Sequence, residues 1–169
     1  MGERANLSAG RFPQGVTVKV EGPGTMSESR VVHAFAEEVL KQPQQRVVID
    51  LATCTYLDST FLGGLVSLLK RHGEERFAIY APADKRRLLF SVSRLDQLLP
   101  FVADPPPQAA ADQDLSLEVA PHASREELGQ YIVDCHRRLA ELGGAEAQDF
   151  SRVADALENE LRTPTNGRS

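Results

Sequence analysis

The spacing of apolar residues changes several times along the N-terminal part of the chain, and each spacing predicts a different element. The stretch GVTVKVEG at residues 15–22 alternates apolar and polar side chains, which is the period of a half-buried β-strand. From Ser27 to Lys41 the apolar residues recur with helical spacing, which predicts a helix that ends before Pro43. The run RVVIDL at residues 46–51 is almost wholly apolar and β-branched, as in a central strand covered on both faces.

The same alternation of elements continues towards the middle of the chain. A helical stripe begins at Phe61 and closes at Gly73, and RFAIYA at residues 76–81 is a further strand. A helix within residues 82–100 is expected to break near residues 91–93. The order strand, helix, strand, helix, strand, helix predicts an α/β sheet with crossover helices.

The remaining segments are less regular. Residues 1–14 are polar and are predicted to form a flexible N-terminus, so the α/β domain is expected to span residues 15–103. Residues 104–121 are rich in Pro, Ala and Asp, which indicates a linker. Two amphipathic stripes within residues 122–163 predict an antiparallel helical hairpin, followed by a tail at residues 164–169.

The hairpin raises the question of what it packs against. Two helices alone bury too little surface to be stable, so we expect them to dock on the α/β body, on a second copy of the chain, or on another protein. A homodimer through these helices is therefore one expectation. Cys135 and His136 are neighbours on the first of these helices, so just one of the two is expected to face a given core.

The composition is that of an ordinary globular protein and excludes few functions. Apolar residues make up 41% and charged residues 25% of the 169-residue chain, which is enough to form a core of normal size. The net charge of −5 argues against direct binding to nucleic acid. Residues 1–15 contain no apolar run and no stretch approaches a membrane span, so we expect a cytoplasmic protein of bacterial type, with no signal peptide and no membrane contact.

Candidate chemistry is sparse along the chain. The two cysteines, Cys54 and Cys135, are far apart and lie among apolar residues, so both are expected to be buried thiols in a reducing compartment. The histidines have no repeated metal-ligand spacing, and no phosphate-binding or nucleophile-elbow motif is present. The sequence therefore predicts no metal, no cofactor and no catalytic residue.

The polar residues Asp58, Ser59 and Thr60 separate a buried strand pattern from a helical one. Asp, Ser and Thr are favoured N-cap residues, so a cap at Asp58 or Ser59 explains the residue types at this join completely. The join also lies where open α/β sheets place functional groups, at the carboxyl end of a strand and the N-terminus of a helix. A phosphate on a hydroxyl here would add charge beside Phe61 and Leu62, which would hinder a docked partner. Both interpretations stay open on the residues alone.

The stretch VVIDLATCTYLDSTFLGGLVSLLKRHG, residues 47–73, resembles the central motif of STAS domains, the anti-sigma factor antagonist family. That motif is a hydrophobic strand ending in Asp, a short loop, and an Asp-Ser-Ser/Thr-Gly-Leu-Gly sequence that enters a helix. The stretch YAPADKRRLLFSVSRLDQLLPF, residues 80–101, resembles the strand and helices that follow in the family. The residues that match the central motif are Asp50, Asp58, Ser59, Thr60, Leu62 and Gly63.

The resemblance implies a STAS-like mixed β-sheet of four to five strands with flanking helices, here extended by the C-terminal α-helical hairpin. It also implies a non-enzymatic protein that, when dephosphorylated, binds a kinase-type anti-sigma factor and so frees a sigma factor. The partner kinase would phosphorylate Ser59, with Thr60 as a secondary site, and a phosphatase would reverse the modification. The partner-binding residues that the resemblance implies are Asp50, Asp58, Ser59, Thr60, Phe61, Leu62 and Gly63.

One departure from the family pattern limits the transfer of function. Phe61 stands where the family usually has Gly, and a bulky ring in the first helical turn is expected to change the docking surface. One alternative is a non-phosphorylated adaptor or scaffold subunit of a stress-signalling or lipid-transport complex, with Phe61 as a permanent contact. Another is a small hydrolase or transferase with Ser59 as nucleophile, which is the weakest because the sequence near Ser59 offers no general base.

Overall fold

A mixed β-sheet forms the centre of the protein in the computed structural model, which describes residues 3–91, 94–107, 115–118 and 124–163. The strands are β1 (Asn6–Phe12), β2 (Gly15–Gly24), β3 (Arg46–Asp50), β4 (Cys54–Leu57), β5 (Phe77–Tyr80) and β6 (Leu115–Leu117). Within the described residues the strand order is β5-β3-β2-β1-β6, and β4 pairs with β2 beside this path. Strands β2 to β5 pair in parallel, whereas β1 runs antiparallel to both β2 and β6.

Helices cover the sheet and extend beyond it at the C-terminal end. They are α1 (Met26–Leu40), α2 (Ser59–His72), α3 (Ala83–Leu89), α4 (Leu95–Leu98), α5 (Arg125–Glu141) and α6 (Ala147–Arg162). The predicted mixed sheet with flanking helices and a C-terminal pair of helices is confirmed. The predicted break in the helix before Pro100 falls between α3 and α4, and residues 92–93 lie outside the described residues.

The buried strands follow the hydrophobic pattern of the sequence. In β2 the buried residues Val16, Val18 and Val20 alternate with half-buried polar ones, as period-two spacing predicts. In β3 the three central residues 47–49 are all buried, because this strand has sheet neighbours on both edges and helices over its faces. The central sheet therefore follows directly from local sequence.

The N-terminal segment is part of the sheet, so the prediction of a flexible segment over residues 1–14 is wrong for β1. This strand pairs with β2 along its whole length, from Asn6 opposite Glu21 to Phe12 opposite Gly15. Leu7 and Ala9 are buried in the core. The strand pattern of β1 is weak in the sequence because the strand carries few large apolar residues. The strand is held in place by its backbone pairing with β2.

The predicted linker over residues 104–121 also contains a strand. Residues 115–117 form β6, which pairs antiparallel with β1 through Leu7 opposite Leu117 and Ala9 opposite Leu115. The described sheet therefore has six strands instead of the four to five expected. The other parts of that linker at residues 108–114 and 119–121, and the tail at residues 164–169, lie outside the described residues.

The C-terminal hairpin packs on the body of its own chain, which is one of the three expected arrangements. Gly143 and Gly144 have φ values of 73° and 92° in the turn between α5 and α6, a conformation that favours glycine. Helix α5 lies against α2 and also contacts α1. Leu139 of α5 is buried in the main core cluster, and Phe150 of α6 packs against that cluster. The hairpin thus covers one face of α2.

Within residues 3–91, 94–107, 115–118 and 124–163, no helix combines the length and the apolar character that are needed to span a membrane.

We predict that residues 6–12 contribute to stability as part of the sheet. Leu7 is 2% exposed, so Leu7→Ala should lower the free energy of unfolding by about 2 to 5 kcal/mol, the usual range for a large-to-small change in a core. The exposed Arg11 in the same strand is the control, and Arg11→Ala should change stability by less than about 0.5 kcal/mol. Urea unfolding measures both, and equal stability of the Leu7→Ala and wild-type chains would contradict the role of β1.

Candidate functional site

Asp58 is the N-cap of α2 and fixes the join between β4 and the helix. Its backbone is extended, with φ −83° and ψ 172°, and its Oδ1 accepts a 2.8 Å hydrogen bond from the backbone N–H of Phe61. The Asp58 N–H donates to the carbonyl oxygen of Gly24 at 3.0 Å, which ties the join to the end of β2. The expectation of a capping residue at this position is therefore confirmed for Asp58.

The Asp58 carboxyl is half-buried, and this changes its proton affinity. Burial raises the pKa of Asp58 above its ordinary value, because removal from water disfavours the carboxylate. The backbone N–H groups of Phe61 and Met26 oppose this rise by donating to the carboxylate. Burial and hydrogen bonding therefore have opposite effects on the pKa of Asp58, and the effect of burial is the larger one.

Ser59 is the first residue of α2, and its hydroxyl contacts a histidine from the C-terminal hairpin. Ser59 Oγ lies 2.9 Å from Nε2 of His136. Nδ1 of the same ring lies 2.8 Å from the carbonyl oxygen of Ile132, which accepts and never donates. Nδ1 therefore carries a proton, and in the tautomer with this single ring proton Nε2 accepts a hydrogen bond from the Ser59 hydroxyl.

This Ser59–His136 pair supplies the base that the sequence near Ser59 lacks. A histidine in hydrogen-bond contact with a serine hydroxyl can accept its proton, whether the oxygen then attacks a substrate or receives a phosphoryl group. The Ile132 carbonyl holds the ring in place but carries no full charge to stabilise an imidazolium, unlike the aspartate of a catalytic triad. The geometry therefore orients and polarises the Ser59 hydroxyl.

Sequence reasoning missed His136 as a partner of Ser59, because the two residues are separated by 77 positions. Cys135 and His136 are both buried, at 2% and 6% exposure, although they are neighbours in sequence. Helix α5 is packed between α2 and α6, so it has two buried faces. Cys135 lies against Gly63 of α2, and the His136 ring lies 6.1 Å from the ring of Phe150 in α6. The prediction that both cysteines are buried is confirmed.

The first turn of α2 is mostly buried, which corrects the predicted docking surface. The ring of Phe61 is 1% exposed and packs near Gly24 of β2, so it is a core residue and not a permanent contact for a partner. Thr60 and Leu62 are each 3% exposed, which leaves the Thr60 hydroxyl inaccessible as a secondary phosphorylation site in this structure. In this first turn the hydroxyl of Ser59 contacts His136 of α5, whereas Phe61 packs beside Gly24 of β2. Of the predicted helical residues, Ser59 is the accessible one at the edge of the core.

Asp50 has a local structural role at the end of β3. Its Oδ1 accepts a 2.9 Å hydrogen bond from the backbone N–H of Ala52, which stabilises the turn that leads to β4. This turn allows β4 to reach its place beside β2 and to deliver Asp58 to the helix start. A direct contact between Asp50 and a partner stays a prediction.

Glycines in α2 allow α5 to approach at backbone distance. A Cβ atom at Gly63 would lie 2.4 Å from the carbonyl oxygen of Cys135. A Cβ atom at Gly64 would lie 2.6 Å from the hydroxyl oxygen of Tyr131 and 3.0 Å from Oγ of Ser29. Gly63 was predicted to contact a partner protein, and in the structure that contact is made by the chain's own hairpin.

An open cavity borders Ser59. Its volume is about 340 Å³. Tyr56 and Leu88, which are 56% and 62% exposed, form an apolar rim beside the hydroxyl of Ser59. The residues that line the cavity are Thr55, Tyr56, Leu57, Ser59, Leu62, Leu88, Leu89, Ser91 and Phe150. The cavity offers a protein partner an apolar surface that includes Ser59.

The part of the chain that the structure describes contains no group of three or more His, Cys, Asp and Glu side chains arranged to hold a metal ion. In a comparison with protein families, the family model described as "Mlab, STAS domain" matches residues 8–100, which is more than half of the chain. The chain therefore belongs to this STAS-domain family. The match begins within β1, in agreement with the place of that strand in the sheet, and it ends before the hairpin. A search of curated proteins finds no match to the chain.

We predict that the cap at Asp58 is a hydrogen-bond acceptor whose charge is unfavourable. Asp58→Ala should lower the free energy of unfolding by about 0.5 to 2 kcal/mol, because the Phe61 N–H loses its acceptor. Asp58→Asn is the matched control and should retain most of the stability, because the amide oxygen accepts the same bond. Urea unfolding at neutral pH distinguishes the two, and equal losses in both variants would contradict a capping role.

The pH dependence of these variants has a definite sign. Since the folded state raises the pKa of Asp58, its favourable contribution is present below the unfolded-state pKa and is lost as the pH rises through the folded-state value. Asp58→Asn has no such titration. Its stability relative to the wild type should therefore increase as the pH is raised from about 3 to about 7, which urea unfolding across that range measures.

Proposed function

We propose that this member of the STAS family acts by binding and not by catalysis, as an anti-sigma factor antagonist. In this proposal the dephosphorylated chain captures a kinase-type anti-sigma factor through the surface around Ser59, and phosphorylation of Ser59 releases that partner. The observation that carries the proposal is the position of the Ser59 hydroxyl, at the first residue of α2 and on the edge of an open apolar cavity. Membership of the family supports a protein-binding role in general.

Phosphorylation of Ser59 is compatible with the local geometry. Transfer of the γ-phosphoryl group of ATP would form a bond from Oγ to phosphorus, break the bond to the ADP leaving group and release the hydroxyl proton. His136 supports this step because its Nε2 lies 2.9 Å from Oγ and can accept that proton. The free N–H groups and the dipole at the helix start favour the added negative charge, so the fold tolerates the modification. A phosphatase would restore the hydroxyl by hydrolysis.

The added charge explains how release would work. A phosphoserine carries a charge of about −1.5 to −2 at neutral pH. The exposed side chains of Tyr56 and Leu88 on the rim of the cavity would have to be buried by a docked partner together with that charge. Burial of an unpaired charge is strongly unfavourable, so binding that is favourable for the hydroxyl form becomes unfavourable for the phosphate form.

A second candidate function is a non-phosphorylated adaptor subunit of a stress-signalling or lipid-transport complex. The observation that favours it is the engagement of Ser59 with His136, since a hydroxyl used to hold the chain's own hairpin is less accessible to a kinase. In that case the apolar rim around the cavity would be the permanent contact, in place of the buried Phe61. A homodimer through the hairpin stays a prediction.

Capture experiments with variants of Ser59 test the proposal. We expect wild-type and Ser59→Ala baits to retain an ATPase of the sensor-kinase type from the native lysate, identified by mass spectrometry. Ser59→Asp should retain at least about tenfold less, because its carboxylate charges the apolar rim in the way a phosphate does. Ser116→Asp is the matched control, since Ser116 is an exposed residue of β6 on another part of the protein.

The other outcomes would contradict the switch or support one of the alternative functions. Equal capture of the ATPase by the Ser59→Ala and Ser59→Asp baits would contradict the switch. Capture of transporter or scaffold subunits by both baits would support the adaptor. Covalent labelling of Ser59 by a fluorophosphonate, with loss of labelling in His136→Ala, would support the hydrolase alternative, because that reagent reacts with activated serine hydroxyls.

A further inference from the structure

The C-terminal hairpin occupies the face of α2 that carries the family motif. Helix α5 approaches so closely that side chains larger than glycine at positions 63 and 64 would meet the Cys135 backbone and the Tyr131 hydroxyl. At the start of α2 it also holds the hydroxyl of Ser59 through His136. A partner protein that needs this face cannot reach it while α5 is in place. The hairpin and such a partner are therefore mutually exclusive.

The family match separates the hairpin from the unit that it covers. The match spans residues 8–100, which includes the whole of α2 and ends before α5. The covered face therefore belongs to the domain that defines the family, whereas the cover is an addition in this chain. This division indicates that the two parts have separate roles.

The contact between α5 and the body combines apolar packing, through the buried Leu139, with several polar contacts. Besides the Ser59–His136 pair, the hydroxyl groups of Ser29 and Tyr131 lie 2.7 Å apart, and Arg30 forms a 2.9 Å ion pair with the exposed Glu127. Such bonds contribute little net free energy, because the same groups bond to water when the surfaces separate. These polar contacts fix the position of the hairpin, but they add little to the free energy needed to separate it from α2. Interfaces between domains that move relative to each other have the same character.

The hairpin also has contacts of its own that would hold it together when it moves. Val133 of α5 and Ala154 of α6 are buried, at 1% and 0% exposure. A Cβ atom at Gly129 would lie 2.7 Å from the side chain of Leu161, so the two helices are closely packed there. Arg137 of α5 adds an ion pair to α6, 3.1 Å from Asp155. The two helices are therefore joined by contacts that do not involve α2.

We propose that the hairpin of α5 and α6 is a reversible, autoinhibitory cover that must lift from α2 before a partner can occupy the Ser59–Gly64 face. The hydrogen bonds of Ser59 with His136 and of Ser29 with Tyr131 act as its latches. The identity of the partner rests on the proposed function, but the lifting of the cover does not. In this proposal the hairpin competes with the partner for the same face of α2, within a single chain.

Cysteine chemistry in the full-length chain measures this opening directly. Cys135 packs on Gly63, so exposure of its thiol reports that α5 has left α2. Cys54 is buried in the body at 0% exposure and is the internal control. Burial raises the pKa of Cys135 to about 12 and raises the pKa of Cys54 as well, so both thiols react slowly in the closed form. N-ethylmaleimide modification under native conditions, followed by peptide mass spectrometry, gives a rate for each thiol.

We predict that weakening either latch accelerates the modification of Cys135 alone. Tyr131→Phe keeps the ring and removes the hydroxyl bonds to Ser29, whereas His136→Phe replaces the imidazole and removes its bond to Ser59. Each should raise the Cys135 rate by about fivefold, the factor for one net hydrogen bond between the hairpin and the body. The Cys54 rate should not change in either variant. Arg152→Ala, on the exposed side of α6, is the matched control and should leave both rates as in the wild type.

Three results would overturn the cover. An unchanged Cys135 rate in both latch variants would make the hairpin a fixed part of the fold. An equal rise in the Cys54 rate would show unfolding of the whole chain. A dimeric mass in solution, with a Cys135 rate that depends on protein concentration, would show that the hairpin covers a second copy.

The same variants separate this proposal from the proposed function. Selective exposure of Cys135 without capture of a kinase-type ATPase by any bait would support the cover and contradict the proposed partner. Capture of that ATPase with no difference between the latch variants and wild type, and with Cys135 equally protected in all of them, would support the partner and overturn the cover.

Discussion

The backbone-distance packing of α5 against α2 is the constraint on which the geometry of the candidate site depends. It requires Gly63 and Gly64, since a Cβ atom at either position would collide with α5 or its side chains. It brings His136 to Ser59 and buries Cys135 in the same helix turn. Without this approach, Ser59 would be an ordinary exposed hydroxyl at the start of a helix. The C-terminal helices are therefore a structural part of the site, although they lie outside the family domain.

The polar segment that joins β4 to α2 is surrounded by apolar residues of the core. Asp58 satisfies the N–H of Phe61, and the N–H of Asp58 bonds to Gly24, so the join is fixed from the helix and from the sheet. Phe61, where the family usually has glycine, points inwards and fills the space beside β2. The departure from the family pattern is thus accommodated in the core. This leaves Ser59, with the exposed rim of Tyr56 and Leu88, as the accessible part of the join.

The sequence predicts those parts of the fold that depend on local periodicity. β2, β3, α1 and α2 follow from apolar spacing within a few residues, and the hairpin follows from two helical stripes and a glycine pair. β1 and β6 were missed because their order comes from pairing between distant segments, such as Leu7 with Leu117. The Ser59–His136 contact and the burial of Phe61 were missed for the same reason, since each depends on which element packs over the start of α2.

The pairing of β6 with β1 has a consequence for the strength of competition at α2. Because β6 anchors the chain to the edge of the sheet, residues 118–124 are the whole connection from that anchor to α5. A segment of this length spans at most about 25 Å, so a detached hairpin stays close to its docking face. Tethers this short give effective concentrations on the order of millimolar. The local concentration of the hairpin at α2 does not depend on how much of the protein is present. A protein that competes for α2 would therefore need the same concentration to displace the hairpin at every expression level.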